Sequence, residues 1–311
     1  MTLGRRCACA ALFCALIPAT ALGDPPESPP GHSKRPPLPP GKGGHGGGTG
    51  GRTQLPRPAP GGGTGSPTSA VVLAAWLDDA DTLGAGEVTL GLSVGRSESP
   101  DGGETDAPVL FGAVGVASRV QLSGSVPYYR ASYDDGYSSS GLGNTYLACK
   151  VKLLEPASHR VGLAVAPVLE ILSDAALSDT TLGLSRVNWA LPVSVQAGHG
   201  PTRVLASAGY FSRGAVFLAA GVDHMVSSRV MLSGALSYMH ATNAAETSDL
   251  AGLSRSRLDL TGAVLVRVSS ALSVSGALGR TVSSLDQNGA TLLASASVSY
   301  AFSRARPRPG P

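Results

Sequence analysis

The sequence has few charged and few aromatic residues for its length. Charged residues make up 14% and aromatic residues 5% of the 311 residues, and the formal net charge at pH 7 is only +3. So small a charge gives no electrostatic basis for binding nucleic acid, and no nucleic-acid partner is expected. The scarcity of charge is also unusual for the surface of a water-soluble globular protein.

Long apolar runs are scarce as well. Beyond residue 23, no run reaches the about 18 apolar residues that indicate a membrane-spanning helix. The first stretch of the chain has Arg5 and Arg6, then an apolar core that ends at Pro18, then small residues at cleavage spacing. This pattern predicts a secretory signal peptide at residues 1–23, exported by the general secretion route.

Cysteine is nearly absent from the predicted exported part of the chain. Of the four cysteines, only Cys149 lies beyond the predicted signal peptide. An intrachain disulfide is therefore excluded, and the fold has to be stabilised by hydrogen bonds and burial. The histidines show no zinc-ligand spacing, so we expect no metal and no cofactor.

Proline and glycine dominate residues 24–75, which cannot supply an apolar core. We predict a disordered periplasmic linker there, with polyproline II structure in its proline-rich part. Its basic residues could contact cell-wall polymers, although a solvated spacer is favoured. The end of the chain, residues 303–311, is predicted to be a short disordered basic tail.

From Gly86 onward, apolar and small polar residues alternate with period two, which indicates β-strands. In "RVQLSGSVPYY", for example, Val120 and Leu122 point one way, whereas Gln121 and Ser123 point the other. About twelve such segments follow one another, most of ten or more residues. They begin near Gly86, Ala107, Arg119, Gly141, His159, Ser185, Thr202, Ala215, Arg229, Ser254, Ala271 and Ala290.

The connections between these segments alternate between short and long, with one exception at residues 212–214. This parity is typical of transmembrane barrels, which have short periplasmic turns and longer outer loops. We therefore predict an all-β fold, a transmembrane antiparallel up-and-down β-barrel of about 12 strands over residues 76–302, in the outer membrane. A soluble sandwich or lipocalin-like barrel is disfavoured, because the polar strand faces are mostly Ser, Thr, Gly and Ala.

Residues 80–172 carry a recognisable set of short motifs: Val126-Pro127-Tyr128, then Gly141-Leu142-Gly143-Asn144, then Lys150 and Lys152. This arrangement resembles the bacterial outer-membrane family of transporters assigned to the MetA pathway of phenol degradation. Asn144 stands where that family usually has an acidic residue. The resemblance implies a small outer-membrane barrel that passes small, often aromatic or hydrophobic, compounds.

The alternation places a set of polar residues of both charge signs inside the predicted barrel. Two interpretations stay open for them: a salt-bridge network that fills a narrow lumen, or a polar constriction that sets charge selectivity. The candidates are Glu87, Gln121, Lys150, Lys152, Glu170, Arg186, Asn188, Arg203, Asp223, Arg257, Asp259 and Arg267.

Aromatic residues fall near predicted strand ends, which is typical of the girdles at a membrane surface. In the closing segment "SVSYAF", Tyr300 and Phe302 resemble the C-terminal signal that the outer-membrane assembly machinery recognises. We therefore expect outer-membrane lipid, the barrel-assembly machinery and a small-molecule solute as partners.

Catalytic patterns are weak. "GLSVG" at residues 91–95 has the spacing of a nucleophile elbow, but Ser93 lies in the middle of an alternating run. His240 with Ser237 is the best candidate pair for hydrolysis. We therefore predict a non-enzymatic channel for passive passage of small molecules. The alternatives are a lipid hydrolase barrel and a structural barrel that anchors the Pro/Gly-rich arm to the cell wall.

Overall fold

The computed structural model describes residues 77–100, 102–133, 136, 138–155, 161–174, 186–242, 255–283 and 289–303. The predicted signal peptide and linker lie outside these residues. So does the predicted tail at 303–311, except that its first residue, Ser303, belongs to the last strand. The described part contains fourteen strand segments. They are β1 (Glu87–Ser99), β2 (Gly102–Ala117), β3 (Val120–Tyr133), β4 (Ser138–Leu142), β5 (Thr145–Leu154), β6 (Val161–Val165), β7 (Val168–Ile171), β8 (Val187–His199), β9 (Thr202–Phe211), β10 (Ala215–Met225), β11 (Val230–Ala241), β12 (Ser256–Arg267), β13 (Leu272–Ser283) and β14 (Leu292–Ser303).

The fourteen segments make twelve positions around one closed antiparallel sheet. Both β4 and β5 pair with β3, so they are two halves of one interrupted strand. In the same way, β6 and β7 both lie between β5 and β8. β1 pairs with β14 from Glu87↔Ser303 to Glu98↔Leu292, and this pairing closes the barrel. The prediction of a barrel of about 12 strands is confirmed.

In this closed sheet, side chains alternate between the lumen and the outside. Along β10, Ala215, Phe217 and Ala219 point inward and are buried, whereas Val216 and Leu218 point outward and are exposed. Exposed leucine and valine recur on the outward face of nearly every strand, which forms an apolar belt. Such a belt around a closed barrel fits lipid rather than water. The predicted location in the cell outer membrane agrees with this surface.

Among the described residues, the structure contains no helix with the length and apolarity that a membrane span requires.

The two ends of the barrel differ in their connections. β1 begins, and β14 ends, at the end where β2–β3, β8–β9, β10–β11 and β12–β13 are joined by short turns. We call this the short-turn end and the opposite one the outer end. By the predicted topology, the short-turn end is periplasmic.

Two predicted strand boundaries were wrong at the outer end. β2 begins at Gly102 rather than near Ala107, and β4 begins at Ser138 rather than near Gly141. The polar residues 102–106 pair with β1 through their backbones, which requires no apolar side chain. The alternation of side-chain polarity therefore fades beyond the membrane, although the strand pairing continues.

Candidate functional site: the lumen of the barrel

A short stretch before β1 lies inside the barrel. We call residues 77–83 the inner segment. Asp79 and Ala80 are fully buried, and Leu77 and Leu83 are nearly so. Leu77 packs in an apolar cluster with Leu205, Ala219 and Ala235, which project inward from β9, β10 and β11. The chain therefore enters the lumen before it forms the first strand of the wall.

Lys150 on β5 is the main polar anchor of the inner segment. Its side chain is fully buried, and its Nζ lies 2.8 Å from Asp78 Oδ2 and 3.1 Å from Asp79 Oδ1. The same ammonium donates to the backbone carbonyls of Asp79 and Asp81. A buried cation that loses its partners is costly, on the order of 3–5 kcal/mol. Lys150 and the inner segment therefore depend on each other for their burial.

Neutral side chains of the wall hold the backbone of the inner segment. Gln121 Oε1 accepts a hydrogen bond from the Leu83 amide at 2.8 Å. Gln196 accepts from the Ala80 amide at 3.1 Å and donates to Asp81 Oδ2 at 2.8 Å. These bonds satisfy backbone groups that would otherwise be orphaned in the lumen.

A charged group lies beside the inner segment at the short-turn end. Arg203 on β9 contacts Asp223 on β10 through Nη2 and Oδ2 at 2.7 Å. Its Nη1 lies 3.9 Å from Asp81 Oδ2 of the inner segment. Ser233 donates to the other Asp223 oxygen at 2.6 Å. Asp223 is therefore a buried carboxylate with a partner on each oxygen.

A second charged group lies in the outer half of the lumen around the buried carboxylate of Glu170. Arg213 Nη2 lies 3.2 Å from Glu170 Oε2, and the Tyr146 hydroxyl donates to Oε1 at 3.0 Å. Asn144 Nδ2 also donates to Oε1, at 3.1 Å, while its Oδ1 accepts from the Ser173 amide. This geometry explains why an amide suits position 144: an acidic residue would place a second carboxylate against Glu170.

A third charged group lies on β12. Arg257 Nε donates to Asp259 Oδ2 at 2.9 Å, and the Thr281 hydroxyl donates to Asp259 Oδ1 at 2.6 Å. All three residues are buried. The Arg257 and Asp259 charges therefore neutralise each other inside the wall of the barrel.

The remaining predicted lumen residues lie nearer the barrel ends. Lys152 contacts Glu155 at 2.8 Å, and the exposed Glu87 accepts from the Gly84 amide. Arg186 contacts Asp174, and both side chains are largely exposed just outside β8. Arg267 is half-buried at the short-turn end, and Asn188 is buried on β8. The pairing of most candidates favours the salt-bridge network over a charged constriction.

Two walls of the lumen differ in how they are filled. Every inward-facing residue is buried over long stretches of three strands: from Asn188 to Gln196 on β8, from Ala215 to Asp223 on β10 and from Met231 to Met239 on β11. Together with β5, β7 and β9, these strands contact the inner segment and carry an apolar cluster. The cluster contains Tyr146, Ala148, Val168, Ala190, Phe211, Ala215, Phe217 and Met239. We call this side the packed wall.

The opposite side of the lumen is lined by small and hydroxyl residues. On β14, the inward residues Leu293, Ser295, Ser297 and Ser299 are all half-buried. Ser297 is hydrogen-bonded to Ser275 of β13 at 2.7 Å and is paired in register with Ser93 of β1. We call the inward face of β14 the open wall, because its side chains are only half-buried, whereas Thr89 and Ser93 of β1 and Ser273, Ala277 and Thr281 of β13 are buried.

The family-like motif residues form the break between β4 and β5. Pro127 points inward on β3, and its carbonyl accepts from the Gly143 amide at 2.8 Å. A Cβ at Gly143 would lie only 2.8 Å from Pro127 Cγ, so glycine permits this close contact. Tyr128 points outward, paired with Leu142, and Gly141 is paired with Tyr129. The motif therefore shapes the wall beside Glu170.

Outward-facing aromatic residues lie near both ends of the apolar belt. Trp189 and Tyr210 have ring centroids 5.8 Å apart near the outer end. Tyr300 and Phe302, with centroids 4.6 Å apart, lie at the short-turn end of β14. Both are about half exposed, as a girdle requires. Recognition of these two residues by the assembly machinery stays a prediction.

The residues proposed for hydrolysis do not form one site. Ser237 is buried in the lumen, whereas His240 lies three residues further along β11 on the outward face. His240 Nδ1 is instead 2.8 Å from Ser256 Oγ, which also lies 3.1 Å from the Tyr238 hydroxyl. In the part of the chain that the structure describes, no carboxylate contacts His240. Ser93 lies in mid-strand, facing the lumen.

The inner segment was not predicted from the sequence, because residues 77–83 were assigned to the start of the barrel. The available signal was the acidic run from Asp78 to Asp81 between Leu77 and Leu83, together with a lysine predicted to face a lumen. A buried cation needs a carboxylate partner, and no other strand supplies one for Lys150 among the contacts described.

No protein-family model matches the chain, and no curated protein matches it. Among solved structures, it is similar to the crystal structure of an outer-membrane channel from Pseudomonas putida F1. The TM-score is 0.53 and the identity 14%, over 72% of this chain and 98% of that one.

It is also similar to the KdgM porin (TM-score 0.48, 11% identity, 69% of this chain and 99% of that chain) and the NanC porin (TM-score 0.48, 8% identity, 68% and 98%). The likeness to the Pseudomonas putida structure shows the fold alone. It does not show membership of the phenol-degradation family. The chain has the fold of an outer-membrane β-barrel.

Proposed function

We propose that this protein is an outer-membrane channel for the passive passage of small molecules along the open wall of its lumen. The observation that carries the proposal is the asymmetry of the lumen. The inner segment is bound to the packed wall, while the serine-lined inward face of β14 stays half-exposed. Diffusion down a gradient needs such a path and no cofactor.

The chemistry of the open wall indicates what could pass. Its serine hydroxyls donate and accept weakly and carry no charge, and the charged groups of the lumen are largely paired. We therefore infer a passage with little preference between cations and anions. The resemblance of the motifs within residues 80–172 to the phenol-degradation transporters supports solutes with an aromatic or apolar part over fully polar ones.

The first test is single-channel conductance of the refolded full chain in a planar bilayer. We expect a small, stable current with weak ion selectivity. An aromatic solute such as benzoate should interrupt the current more than a sugar of similar size does. A barrel that carries no current under any salt or voltage would contradict the channel proposal.

One observation bears on the alternative of a lipid hydrolase: His240 and Ser256 are in contact on the outward face at the outer end. A serine hydrolase needs a third group that orients the histidine and donors for the oxyanion. The described residues supply no carboxylate to His240. We therefore expect no phospholipid hydrolysis by the refolded protein, and release of fatty acid that is lost in Ser256→Ala would restore the hydrolase alternative.

The third possibility is a structural barrel that anchors the Pro/Gly-rich arm to the cell wall. That arm lies outside the described residues, so its test uses a deletion. Removing residues 24–68 should leave the bilayer current of the barrel intact if the protein is a channel. Loss of cell-wall association without any current in the intact protein would favour the anchor instead.

A further inference from the structure

The outward face of the barrel carries arginines in one sector. Six arginines lie within described strands, and three of them, Arg203, Arg257 and Arg267, are on inward positions. The other three are Arg96 on β1, Arg130 on β3 and Arg280 on β13, and all three are exposed on outward positions. β13, β14, β1, β2 and β3 are consecutive neighbours in the sheet, so these arginines share one side of the barrel.

The three arginines lie toward the outer end of their strands, near the outer edge of the apolar belt. On β1, Arg96 follows the outward residues Leu92 and Val94. On β3, Arg130 follows Val126 and Tyr128. On β13, Arg280 lies between the exposed outward residues Leu278 and Val282. Each arginine can therefore keep its guanidinium at the headgroup level while its stem covers the apolar surface.

The arginines are close enough to act on one ligand. Arg96 and Arg130 are both paired in register with Thr105 of β2, so two strand spacings, about 10 Å, separate them. Arg280 follows Gly279, which is in register with Leu293 of β14 and through it with Ser97 of β1, the residue next to Arg96. Side chains of this length can converge across such distances.

Among the described residues, the outward face of this sector carries more positive than negative charge, because Glu104 and Asp106 of β2 lie on inward positions. Arg96 contacts Glu98 at 2.9 Å and donates to Thr105 Oγ1 at 3.1 Å. Arg280 Nε reaches only the Thr281 carbonyl, at 3.4 Å. Glu98 offsets one of the three positive charges, so two guanidinium charges have no carboxylate partner among the described residues.

The corresponding level on the other side of the barrel has a different character. There the outward residues at the end of the belt are aromatic, namely Trp189, Tyr210 and Tyr238. An aromatic girdle does not discriminate between lipid headgroups. Arginines, by contrast, bind phosphate specifically, each through two parallel hydrogen bonds. The outer leaflet that faces this end of an outer-membrane barrel is rich in phosphorylated glycolipid.

We propose that Arg96, Arg130 and Arg280 form a binding surface for the phosphate groups of the outer-leaflet glycolipid. The surface would hold lipid against the β13–β3 sector of the barrel. It requires the outer-membrane location and the predicted orientation, but it does not depend on the proposed passage of solutes. A channel and a sealed barrel would bind the lipid equally well.

The test is titration of the refolded full chain with bisphosphorylated lipid A, followed by native mass spectrometry. Wild type should bind this lipid and should not retain the same lipid with both phosphates removed. The double variant Arg130→Gln/Arg280→Gln should bind about thirtyfold more weakly, because each arginine near a charged membrane surface contributes on the order of fivefold in affinity.

The matched control is Arg119→Gln/Arg229→Gln, which removes two exposed arginines at the short-turn end and should bind like wild type. A heat-dependent shift in gel mobility verifies that each variant is folded. The proposal is overturned if the outer-end double variant binds as tightly as wild type, if the dephosphorylated lipid binds equally, or if inorganic phosphate alone occupies the surface.

Discussion

The packed wall and the open wall of the lumen are built from the same strand pattern but do different things. On the packed wall, inward positions hold Lys150, Gln196, Leu205 and Phe217, which bind the inner segment or each other. On the open wall, the inward positions hold Leu293, Ser295, Ser297 and Ser299. The inward side chains, rather than the number of strands, therefore determine how much of the lumen is available for passage.

The inner segment makes this difference larger. Its hydrogen bonds extend to β3, β5, β8 and β9, and its apolar contacts extend to β9, β10 and β11. It therefore adds a layer to the side of the lumen that is already filled. Weakening the attachment of the inner segment to the packed wall should therefore widen the passage. Adding a bulky side chain to the open wall should narrow it.

The largest effect is expected from Lys150→Met. This change leaves the Asp78 and Asp79 carboxylates without their buried cation, which costs about 3–5 kcal/mol of docking free energy. The inner segment should then leave the packed wall, and the single-channel current should rise. The matched control is Lys152→Met. Among the described residues, its ammonium contacts Glu155 near the rim, and its removal should leave the current unchanged. Equal currents in wild type and Lys150→Met would show that the inner segment does not limit passage.

A smaller effect is expected from Gly209→Ala within the packed wall. A Cβ at this position would lie 2.5 Å from both the Leu191 carbonyl oxygen and Phe217 Cζ, so backbone or a packed ring would have to move. We expect a loss of about 1–3 kcal/mol in the free energy of unfolding, measured by urea titration of the refolded barrel.

The control for that change is Gly234→Ala on β11, two strands away in the sheet. A Cβ there meets nothing within 4 Å, so stability should stay close to that of wild type. Similar losses in both variants would mean that the packing of the two positions does not differ as described.

The smallest effect is expected from Asn144→Asp. The new carboxylate would lose the hydrogen bond to Glu170 and add a like charge beside it, at a cost of about 1–2 kcal/mol in the free energy of unfolding. Adding Glu170→Gln should recover part of this loss, because the amide at position 170 can donate to the new carboxylate in turn. A double variant that is no more stable than Asn144→Asp would place the penalty elsewhere.

Much of the fold followed from the sequence because a barrel in lipid enforces its pattern. The alternation in the segments of β10, β11 and β14 predicted their lumen and lipid faces, and the short turns predicted the pairing order. The outer ends of β2 and β4 could not be predicted in the same way. Beyond the lipid, both faces of a strand can be polar, so the alternation carries no information there.

The site was predictable only as a set of inward positions. Period two indicates that Lys150, Glu170 and Asp223 face the lumen, but contacts across a barrel join residues far apart in the sequence. Lys150 contacts Asp79, which lies 71 positions earlier in the sequence. The alternation therefore could not show that an acidic stretch before β1 folds inward, nor that Ser256 rather than Ser237 contacts His240.

Passage of solutes along the open wall is tested most directly by one pair of variants. Ser297→Phe adds a ring to the inward face of β14, and Val298→Phe adds the same ring to the outward face one residue later. Single-channel recordings should show a clearly reduced current for Ser297→Phe and a wild-type current for Val298→Phe. An undiminished current in Ser297→Phe, with the barrel shown to be folded, would mean that solutes do not pass along the inward face of β14.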